Sequence, residues 1–308
     1  MFNKKFFQYG CLSCLYALAT LSYGANFTYD GVNRRDPVNE LERNTINATG
    51  NVFCKEVKTG KQLVTTGFLI DIGQNRQNAI LITSGHGFRD SRDDEYHRDC
   101  IFRPYGSKHV ITIENIVAGN LAQIDPAVFI KNDWGVGHIP SNQNTIGNAI
   151  PLSNKTYQEL HSLLQAGLGE IKFYGGNLIP DQGEARIQVS DKCSIWQPTP
   201  RAILGSGHSI YTNCDSTGSS SGGPVVFESY NGSVEVIGIM FGAIHTVTTV
   251  NRIFGDNVST MTIKDVESAI DIIPSPETII NIAVPLIPGM REQSLNDLSR
   301  DYQAYKCF

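Results

Sequence analysis

The sequence predicts an all-β fold made of antiparallel sandwiches or barrels. Short runs rich in Val, Ile, Thr and aromatic residues are separated by turns rich in Gly, Asn, Asp and Pro, and helical patterns are few. The chain has 308 residues, 41% of them hydrophobic, and an average domain needs ~150. These values predict two domains, or one large two-lobed unit, around a sizeable core.

Ten runs have the composition of strands, and three have helical periodicity. The first helical run carries Leu160, Leu163 and Leu164 on one face. The predicted helices cover 155–165, 262–273 and 291–305, and the last would be a short C-terminal helix. The predicted strands cover 64–72, 79–84, 110–117, 127–130, 170–174, 184–190, 209–213, 224–227, 234–240 and 278–284.

The first 24 residues predict a secretory signal peptide. Lys4 and Lys5 precede the apolar run 11–21, and the segment 22–24 supplies small residues where signal peptidase cleaves. The apolar run is shorter than the ~20 residues that cross a bilayer, so a membrane anchor is the weaker alternative. Cleavage after Gly24 leaves five of the seven cysteines in an oxidising compartment, extracellular or periplasmic.

The charge balance argues against a nucleic-acid binder. The chain has 25 basic and 30 acidic residues, whereas a protein that neutralises phosphates needs clustered positive charge. The charged stretch 90–99 lacks the regular spacing of a calcium loop, and the histidines outside the segment 82–87 show no zinc-ligand spacing. We therefore expect neither a metal nor a cofactor.

Three short segments carry side chains that suit acyl transfer. His86 directly follows the apolar run 79–84, Asp133 follows the apolar run 127–130, and Ser221 lies in a turn of glycines and serines before a strand. A nucleophilic serine needs an open approach and nearby N–H groups, and a glycine-rich turn supplies both. Each segment alone is uninformative, but together they follow the order His, Asp, Ser.

The segments around these residues, Ile-Thr-Ser-Gly-His, Asn-Asp-Trp-Gly-Val and Ser-Gly-Gly-Pro-Val, resemble the active-site blocks of trypsin-like serine peptidases. The resemblance is to the bacterial branch related to glutamyl endopeptidases, and it covers residues 29–285. It implies two six-stranded antiparallel Greek-key β-barrels with the site in the cleft between them. The expected divisions are an N-terminal strap or short pro-segment (25–45), a first barrel with His86 and Asp133 (46–150), and a second barrel with Ser221 and the C-terminal helix (151–308).

The resemblance also implies a role for each residue. Ser221 would attack the scissile carbonyl, His86 would take its proton, and Asp133 would orient the imidazole. The N–H groups of Ser219 and Ser221 would form the oxyanion hole. The family usually has glycine at the position of Ser219, and glycine adopts backbone angles that serine avoids.

Ser220 is a rival nucleophile. Gly218, Ser220 and Gly222 also fit the Gly-x-Ser-x-Gly pattern of α/β-hydrolases. In that fold the catalytic histidine follows the serine, and only His245 does so in this chain. The scarcity of helices makes this interpretation the weaker one.

Substrate preference is the feature that the sequence determines least. Asp215 lies six residues before Ser221, at the offset where trypsin-like enzymes that cleave after Lys or Arg carry an aspartate. Glutamyl endopeptidases need a histidine on the following strand, where this chain has Met240, so Ser216 is the remaining polar partner for a glutamate. The residues expected to pair with the substrate backbone are Phe241, Gly242 and Ala243.

The five remaining cysteines divide by position. Cys54 and Cys100 bracket the histidine, Cys193 and Cys214 precede the nucleophile, and Cys307 lies in the tail. The resemblance implies the disulfide Cys193–Cys214. We also expect Cys54–Cys100, although the family often places its cysteine directly after the histidine. Cys307 is expected to be free or bonded to another chain.

We therefore expect a secreted, monomeric serine endopeptidase that acts on proteins or peptides. The alternative from another class is a catalytically impaired homologue that keeps the fold as a binding module. The intact residues His86, Asp133 and Ser221 favour the enzyme, whereas Ser219 in the oxyanion turn favours the alternative.

Overall fold

The computed structural model describes residues 34–71, 79–90, 94–121, 132–140, 149–179, 184–196, 209–216, 219–244 and 280–290. Within these ranges the chain forms sixteen strands, two α-helices and one 3₁₀ turn. The signal peptide (1–24), the strand 127–130, the helices 262–273 and 291–305, and Cys307 lie outside the described residues.

The strands form two sheets that pair almost throughout in antiparallel fashion. The helices are α1 (Glu40–Asn47) and α2 (Tyr157–Gln165), and the 3₁₀ turn is Gly85–Gly87. The strands are β1 (Arg34–Arg35), β2 (Thr49–Lys55), β3 (Gln62–Asp71), β4 (Ala79–Thr83), β5 (Arg98–Pro104), β6 (Ile111–Thr112), β7 (Glu114–Ala118), β8 (Gly135–Ile139), β9 (Ile150–Pro151), β10 (Gly169–Ile179), β11 (Glu184–Cys193), β12 (Ile195–Trp196), β13 (Ile210–Thr212), β14 (Pro224–Ser229), β15 (Val234–Ile244) and β16 (Ile280–Pro285).

The first sheet has the order β6-β5-β2-β3-β4-β8-β7, and β9 adds to β3. Strands β2, β3 and β4 are successive neighbours, and β5 returns to pair with β2, which is a Greek key. The second sheet has the order β1-β11-β10-β14-β15-β16-β13-β12. Each sheet has six described strands of three residues or more, and two of only two residues. The prediction of two antiparallel barrels is confirmed.

An apolar core joins the two barrels. It contains side chains of the first barrel, such as Phe68 and Ile82, together with Val226 and Ile239 of the second barrel and Ile46 of α1. Each barrel also has a separate apolar interior of its own. Because burying one large apolar side chain contributes about 2 kcal/mol, the shared core makes the barrels one unit.

The sequence did not predict β2, β5, β8 or α1. Strand β2 begins with Thr, Gly and Asn, which are typical of turns, and β5 places charged side chains on its exposed face. Helix α1 begins at the cap Asn39, whose side chain accepts from the N–H group of Glu42. Helix α2 was predicted, and it begins at a capping box formed by Thr156 and Glu159.

Each barrel contains one disulfide. Cys54 on β2 is bonded to Cys100 on β5, and Cys193 at the end of β11 is bonded to Cys214. Both pairings were expected from the sequence. The second one closes a loop of about 20 residues just before the turn that carries Ser221, which contributes roughly 3 kcal/mol in the chain-entropy model.

The segment 34–47 is fixed by a buried ion network. Strand β1 pairs with β11, and Arg35 donates to both carboxylate oxygens of the fully buried Glu42 at 2.6 and 2.7 Å. Lys172 of the second barrel lies 2.9 Å from the same carboxylate, and Asp191 binds the other side of Arg35. The network therefore connects Arg35 and Glu42, which precede the first barrel, to Lys172 and Asp191 of the second barrel.

Replacing Glu42 with Gln tests this network. Burial raises the pKa of Glu42, but Arg35, the Val38 N–H group and Lys172 lower it more, to about 2 against an ordinary 4.5. The ionised Glu42 carboxylate therefore stabilises the fold fully above about pH 4.5. This stabilisation is lost as the pH falls toward 2 and the carboxylate is protonated. We expect Glu42→Gln to lower the free energy of unfolding at pH 7 by about 3 kcal/mol in denaturant titrations.

The matched control is Asp99→Asn, which breaks the exposed ion pair of Asp99 with Lys55 and is expected to leave the midpoint of unfolding nearly unchanged. The difference between wild type and Glu42→Gln is expected to shrink in acid. A difference that stays constant from neutral pH down to pH 3 would contradict the role assigned to Glu42.

Candidate active site

His86 lies in the 3₁₀ turn that directly follows β4. Strand β4 pairs with β8 so that Thr83 lies opposite Gly135, and both His86 and Asp133 therefore leave the same end of this pair. Gly85 allows the close approach, because a Cβ there would lie 3.0 Å from the Trp134 carbonyl oxygen and 3.2 Å from Asp133 Oδ1.

Asp133 is fully buried and makes two hydrogen bonds to His86. Its Oδ1 accepts from the His86 backbone N–H group at 2.7 Å, and its Oδ2 lies 2.9 Å from Nδ1 of the ring. A carboxylate can only accept, so Nδ1 carries the proton. In the neutral ring Nε2 is then the basic nitrogen.

The electrostatics favour the protonated form of His86. Burial lowers its pKa, but the negative charge of Asp133 and the hydrogen bond to it raise the pKa more, so that the net value lies above the ordinary 6.5. The pair therefore stabilises an imidazolium, which is the species that forms when a histidine takes a proton from a nucleophile.

The turn that carries Ser221 packs against the middle of β3 and the end of β4. Gly222 has a φ of +88°, and a Cβ there would lie 2.1 Å from the Thr66 carbonyl oxygen, 2.3 Å from Thr83 Oγ1 and 2.8 Å from the Ser84 nitrogen. Ser84 is two residues before His86. The structure therefore brings the Ser221 turn to the strand end where His86 and Asp133 meet.

The Ser221 hydroxyl donates to the carbonyl oxygen of Phe241 at 3.0 Å. The Phe241 ring packs edge-on against the His86 ring, with centroids 6.2 Å apart and an interplanar angle of 87°. Ser84 Oγ lies 3.5 Å from Nε2 of His86. In this resting arrangement the nucleophile candidate and the imidazole contact the same residue, Phe241.

The backbone of the turn is held in a fixed direction. The Ser220 carbonyl accepts from the Gly223 N–H group at 3.0 Å, which orients the Ser220–Ser221 peptide. Ser219, in contrast to the glycine usual in the family, is not among the described residues with positive φ. In the described part of the chain, the N–H groups of Ser219 and Ser221 donate to no acceptor. Backbone N–H groups without an acceptor are the type of donor that can bind an anion.

Ser220 is placed differently from Ser221. Its side chain is fully buried, and its hydroxyl donates to the Gly176 carbonyl oxygen at 2.7 Å. Ser221 retains some exposure, 8%. Geometry therefore favours Ser221 as the group that a substrate can reach.

The predicted substrate-binding residues lie in the last part of β15 and in the segment that follows β13, and β16 pairs with both of these strands. Asp215 and Ser216 are buried, and the Met240 side chain is fully buried in the interior of the second barrel. Strand β14 pairs with β15 only as far as Ile239, so the edge of β15 beyond it is not covered by β14. A Cβ at Gly242 would have no atom within 4 Å, which marks open space there.

Two residues that the sequence analysis did not assign to the site contact it. Thr66 of β3 hydrogen-bonds to the carbonyl groups of Ser219 and Ser221. Asn281 of β16 hydrogen-bonds to Ser216 Oγ and to the Cys214 carbonyl. Neither has a motif of its own, because both act through segments distant in the chain.

The described residues contain no group of three His, Cys, Asp or Glu side chains that could hold a metal ion. None of the helices in this part of the chain is both long and apolar enough to cross a membrane.

Solved structures show what the fold is similar to. A thermostable serine protease, AL20, from an extremophilic microorganism superposes with a TM-score of 0.52 at 16% identity, covering 83% of this chain and 99% of that one. A Glu endopeptidase, solved in complex with MPD, superposes with a TM-score of 0.51 at 11% identity, covering 87% and 96%. No protein-family model and no curated protein matches the sequence. The chain therefore has the two-barrel fold of trypsin-like serine peptidases.

Gly222→Ala tests the close approach of the turn, and Gly232→Ala is its matched control. Both glycines have a φ of +88°, but a Cβ at Gly232 would have no atom within 4 Å. We expect Gly232→Ala to cost about 1 kcal/mol for the left-handed backbone, and Gly222→Ala to cost at least about 3 kcal/mol because the methyl group overlaps Thr66 and Thr83. Denaturant unfolding measures both, and equal costs would contradict the packing described.

Proposed function

We propose that this protein is a serine endopeptidase that hydrolyses peptide bonds through Ser221, His86 and Asp133. The observation that carries the proposal is the buried Asp133 bonded twice to His86, with the Ser221 turn packed on the same strand end. The similarity of the fold to serine peptidases supports it.

The reaction begins with a rotation of the Ser221 side chain. The hydroxyl leaves the Phe241 carbonyl and donates to Nε2 of His86, which Asp133 holds in the basic tautomer. Ser221 Oγ then attacks the scissile carbonyl carbon while Nε2 takes the proton. The N–H groups of Ser219 and Ser221 bind the oxyanion that forms.

The second half of the reaction regenerates the enzyme. The imidazolium of His86 gives its proton to the leaving amine as the C–N bond breaks, and an acyl ester on Ser221 remains. Water then attacks the ester, His86 takes a proton from this water, and the same proton returns to Ser221 Oγ when the acid leaves. The raised pKa of His86 suits it to carry a proton between these steps.

Labelling with a fluorophosphonate distinguishes the two candidate nucleophiles. We expect wild type to be labelled, Ser221→Ala to lose labelling and peptide hydrolysis, and Ser220→Ala to keep both at reduced rate, because the buried Ser220 hydroxyl donates to the Gly176 carbonyl. Mass spectrometry of the labelled peptide checks the site. Asp133→Asn is expected to fold and to lower kcat by about 10⁴-fold, since the imidazole tautomer is no longer fixed.

Absence of labelling on folded wild-type protein would overturn the proposal and favour the binding module. Labelling that survives Ser221→Ala and disappears in Ser220→Ala would assign the nucleophile to Ser220 instead.

The polar side chains near the open edge of β15 favour a basic substrate side chain. The Cys214 carbonyl can only accept, so the Asn281 group that contacts it is the NH₂ group, and Oδ1 faces Ser216. Ser216 must therefore donate its only proton to Asn281, and its oxygen can only accept from a third group. The Asp215 carboxylate also accepts. A lysine or arginine can donate to both, whereas a glutamate cannot.

Asn281→Leu tests this preference. The change releases the Ser216 proton, so we expect cleavage after glutamate relative to arginine to rise about 5- to 10-fold, the equivalent of one hydrogen bond. Ratios of kcat/KM for peptides that differ only at the residue before the scissile bond measure it. Asn51→Leu is the matched control, because Asn51 is also buried and donates to a backbone carbonyl, that of Ala185 at 2.8 Å. A wild-type preference for glutamate, or an unchanged ratio in Asn281→Leu, would contradict the assignment.

The two disulfides indicate a compartment outside the reducing cytoplasm. We propose that the chain is secreted after removal of residues 1–24. A mature N-terminus at Ala25 in protein recovered from the culture medium or the periplasm would support this.

A further inference from the structure

Thr66 forms a junction between the first barrel and the nucleophile turn. It lies on β3 and is fully buried. Its N–H group donates to the Ser221 carbonyl at 2.8 Å, and its Oγ1 donates to the Ser219 carbonyl at 2.7 Å. The Gly176 N–H group of β10 donates to the same Oγ1 at 2.8 Å. One residue therefore holds both ends of the turn 219–221.

The direction of each hydrogen bond at the Thr66 hydroxyl is settled by its partners. The Gly176 N–H group can only donate, so the hydroxyl oxygen accepts there, and its single proton must point at the Ser219 carbonyl, which can only accept. No rotation of the hydroxyl satisfies both partners in another way. The Ser219–Ser220 peptide is thus fixed by a side chain of the other barrel.

This contact bears on the two N–H groups that face no acceptor. The Ser219 carbonyl is held by Thr66, the Ser220 carbonyl by Gly223, and the Ser221 carbonyl by the Thr66 N–H group. Three successive peptide planes are therefore fixed. In a trans peptide the N–H group points opposite to the carbonyl, so the Gly223 contact fixes the direction of the Ser221 N–H group. The Thr66 contact fixes the next peptide toward the N-terminus and so limits the rotation of Ser219.

We infer that Thr66 is a positioning residue for the oxyanion site. Its hydroxyl holds the Ser219 carbonyl, and through it the non-glycine turn that carries the N–H groups of Ser219 and Ser221. The inference rests on the proposed peptidase function. The turn has Ser219 where the family usually has a glycine, and a hydrogen bond from Thr66 on β3 holds it there.

Thr66→Val removes the hydroxyl and keeps the shape of the side chain. We expect kcat for a peptide substrate to fall about 10- to 100-fold, with KM within about twofold, because an oxyanion donor acts mainly in the transition state. The affinity of a peptide boronic acid, which forms a tetrahedral adduct with a catalytic serine, is expected to fall in parallel. Thr66→Ser retains the hydroxyl and is expected to recover most of kcat.

Thr49→Val is the matched control. Thr49 is also fully buried on a strand of the first barrel, and its hydroxyl donates to a backbone carbonyl, that of Thr45 at 3.1 Å. We expect Thr49→Val to lower the midpoint of thermal unfolding by a similar amount and to leave kcat within about twofold. Equal kcat losses in Thr66→Val and Thr49→Val, or a Thr66→Ser variant as slow as Thr66→Val, would overturn the inference.

Amide hydrogen exchange separates this inference from the proposed function. The Gly176 N–H group donates to Thr66 Oγ1, so its exchange is expected to be at least tenfold faster in Thr66→Val and near wild type in Thr66→Ser and Thr49→Val. This measurement needs no activity. If wild type is inactive toward peptides and fluorophosphonates, the proposed function fails. If exchange at Gly176 is unchanged in Thr66→Val, the Thr66 hydroxyl does not hold the turn and the inference fails.

Discussion

The approach of Gly222 to the middle of β3 and the end of β4 is the constraint on which the site depends. At this point backbone of the second barrel lies within van der Waals distance of Thr66, Thr83 and Ser84 of the first, with no space for a side chain. Ser221 is the preceding residue, so this contact restricts where Ser221 lies relative to the turn that carries His86. Two of the three atoms that Gly222 faces belong to the backbone, which moves less than a side chain.

Two kinds of interaction maintain this approach, and their magnitudes give them different roles. The shared apolar core, with Phe68 and Val226 among its members, contributes about 2 kcal/mol for each large side chain, and this holds the barrels together. Each neutral hydrogen bond between the barrels, such as those of Thr66 and Asn51, contributes only about 1 kcal/mol net. Hydrogen bonds are directional, however, so they select one register from the many that the apolar core would allow.

A feature could be predicted from the sequence when the residues that determine it are close together in the chain. The candidates His86, Asp133 and Ser221 were found because each lies in a local segment of distinctive composition. Thr66 and Asn281 were not, because their partners Ser219 and Ser216 lie 153 and 65 residues away in the chain. Among the strands, β2 and β5 were missed because turn-forming and charged residues hide their alternation, which becomes visible only when their neighbours β3 and β6 are known.

Phe241 shows how one irregularity in a sheet can serve two groups at once. The β15–β16 register shifts between Met240 and Gly242, so Phe241 is an extra residue, a β-bulge. In a regular strand its carbonyl and ring would follow the alternation of their neighbours, whereas here the carbonyl contacts Ser221 Oγ and the ring packs on His86. The bulge thus brings one residue into contact with both groups, and in the proposed mechanism a rotation of the Ser221 side chain exchanges its Phe241 partner for His86. A single rotation about one bond costs little compared with a movement of the barrels, so a preorganised frame and a resting hydroxyl turned toward Phe241 are compatible.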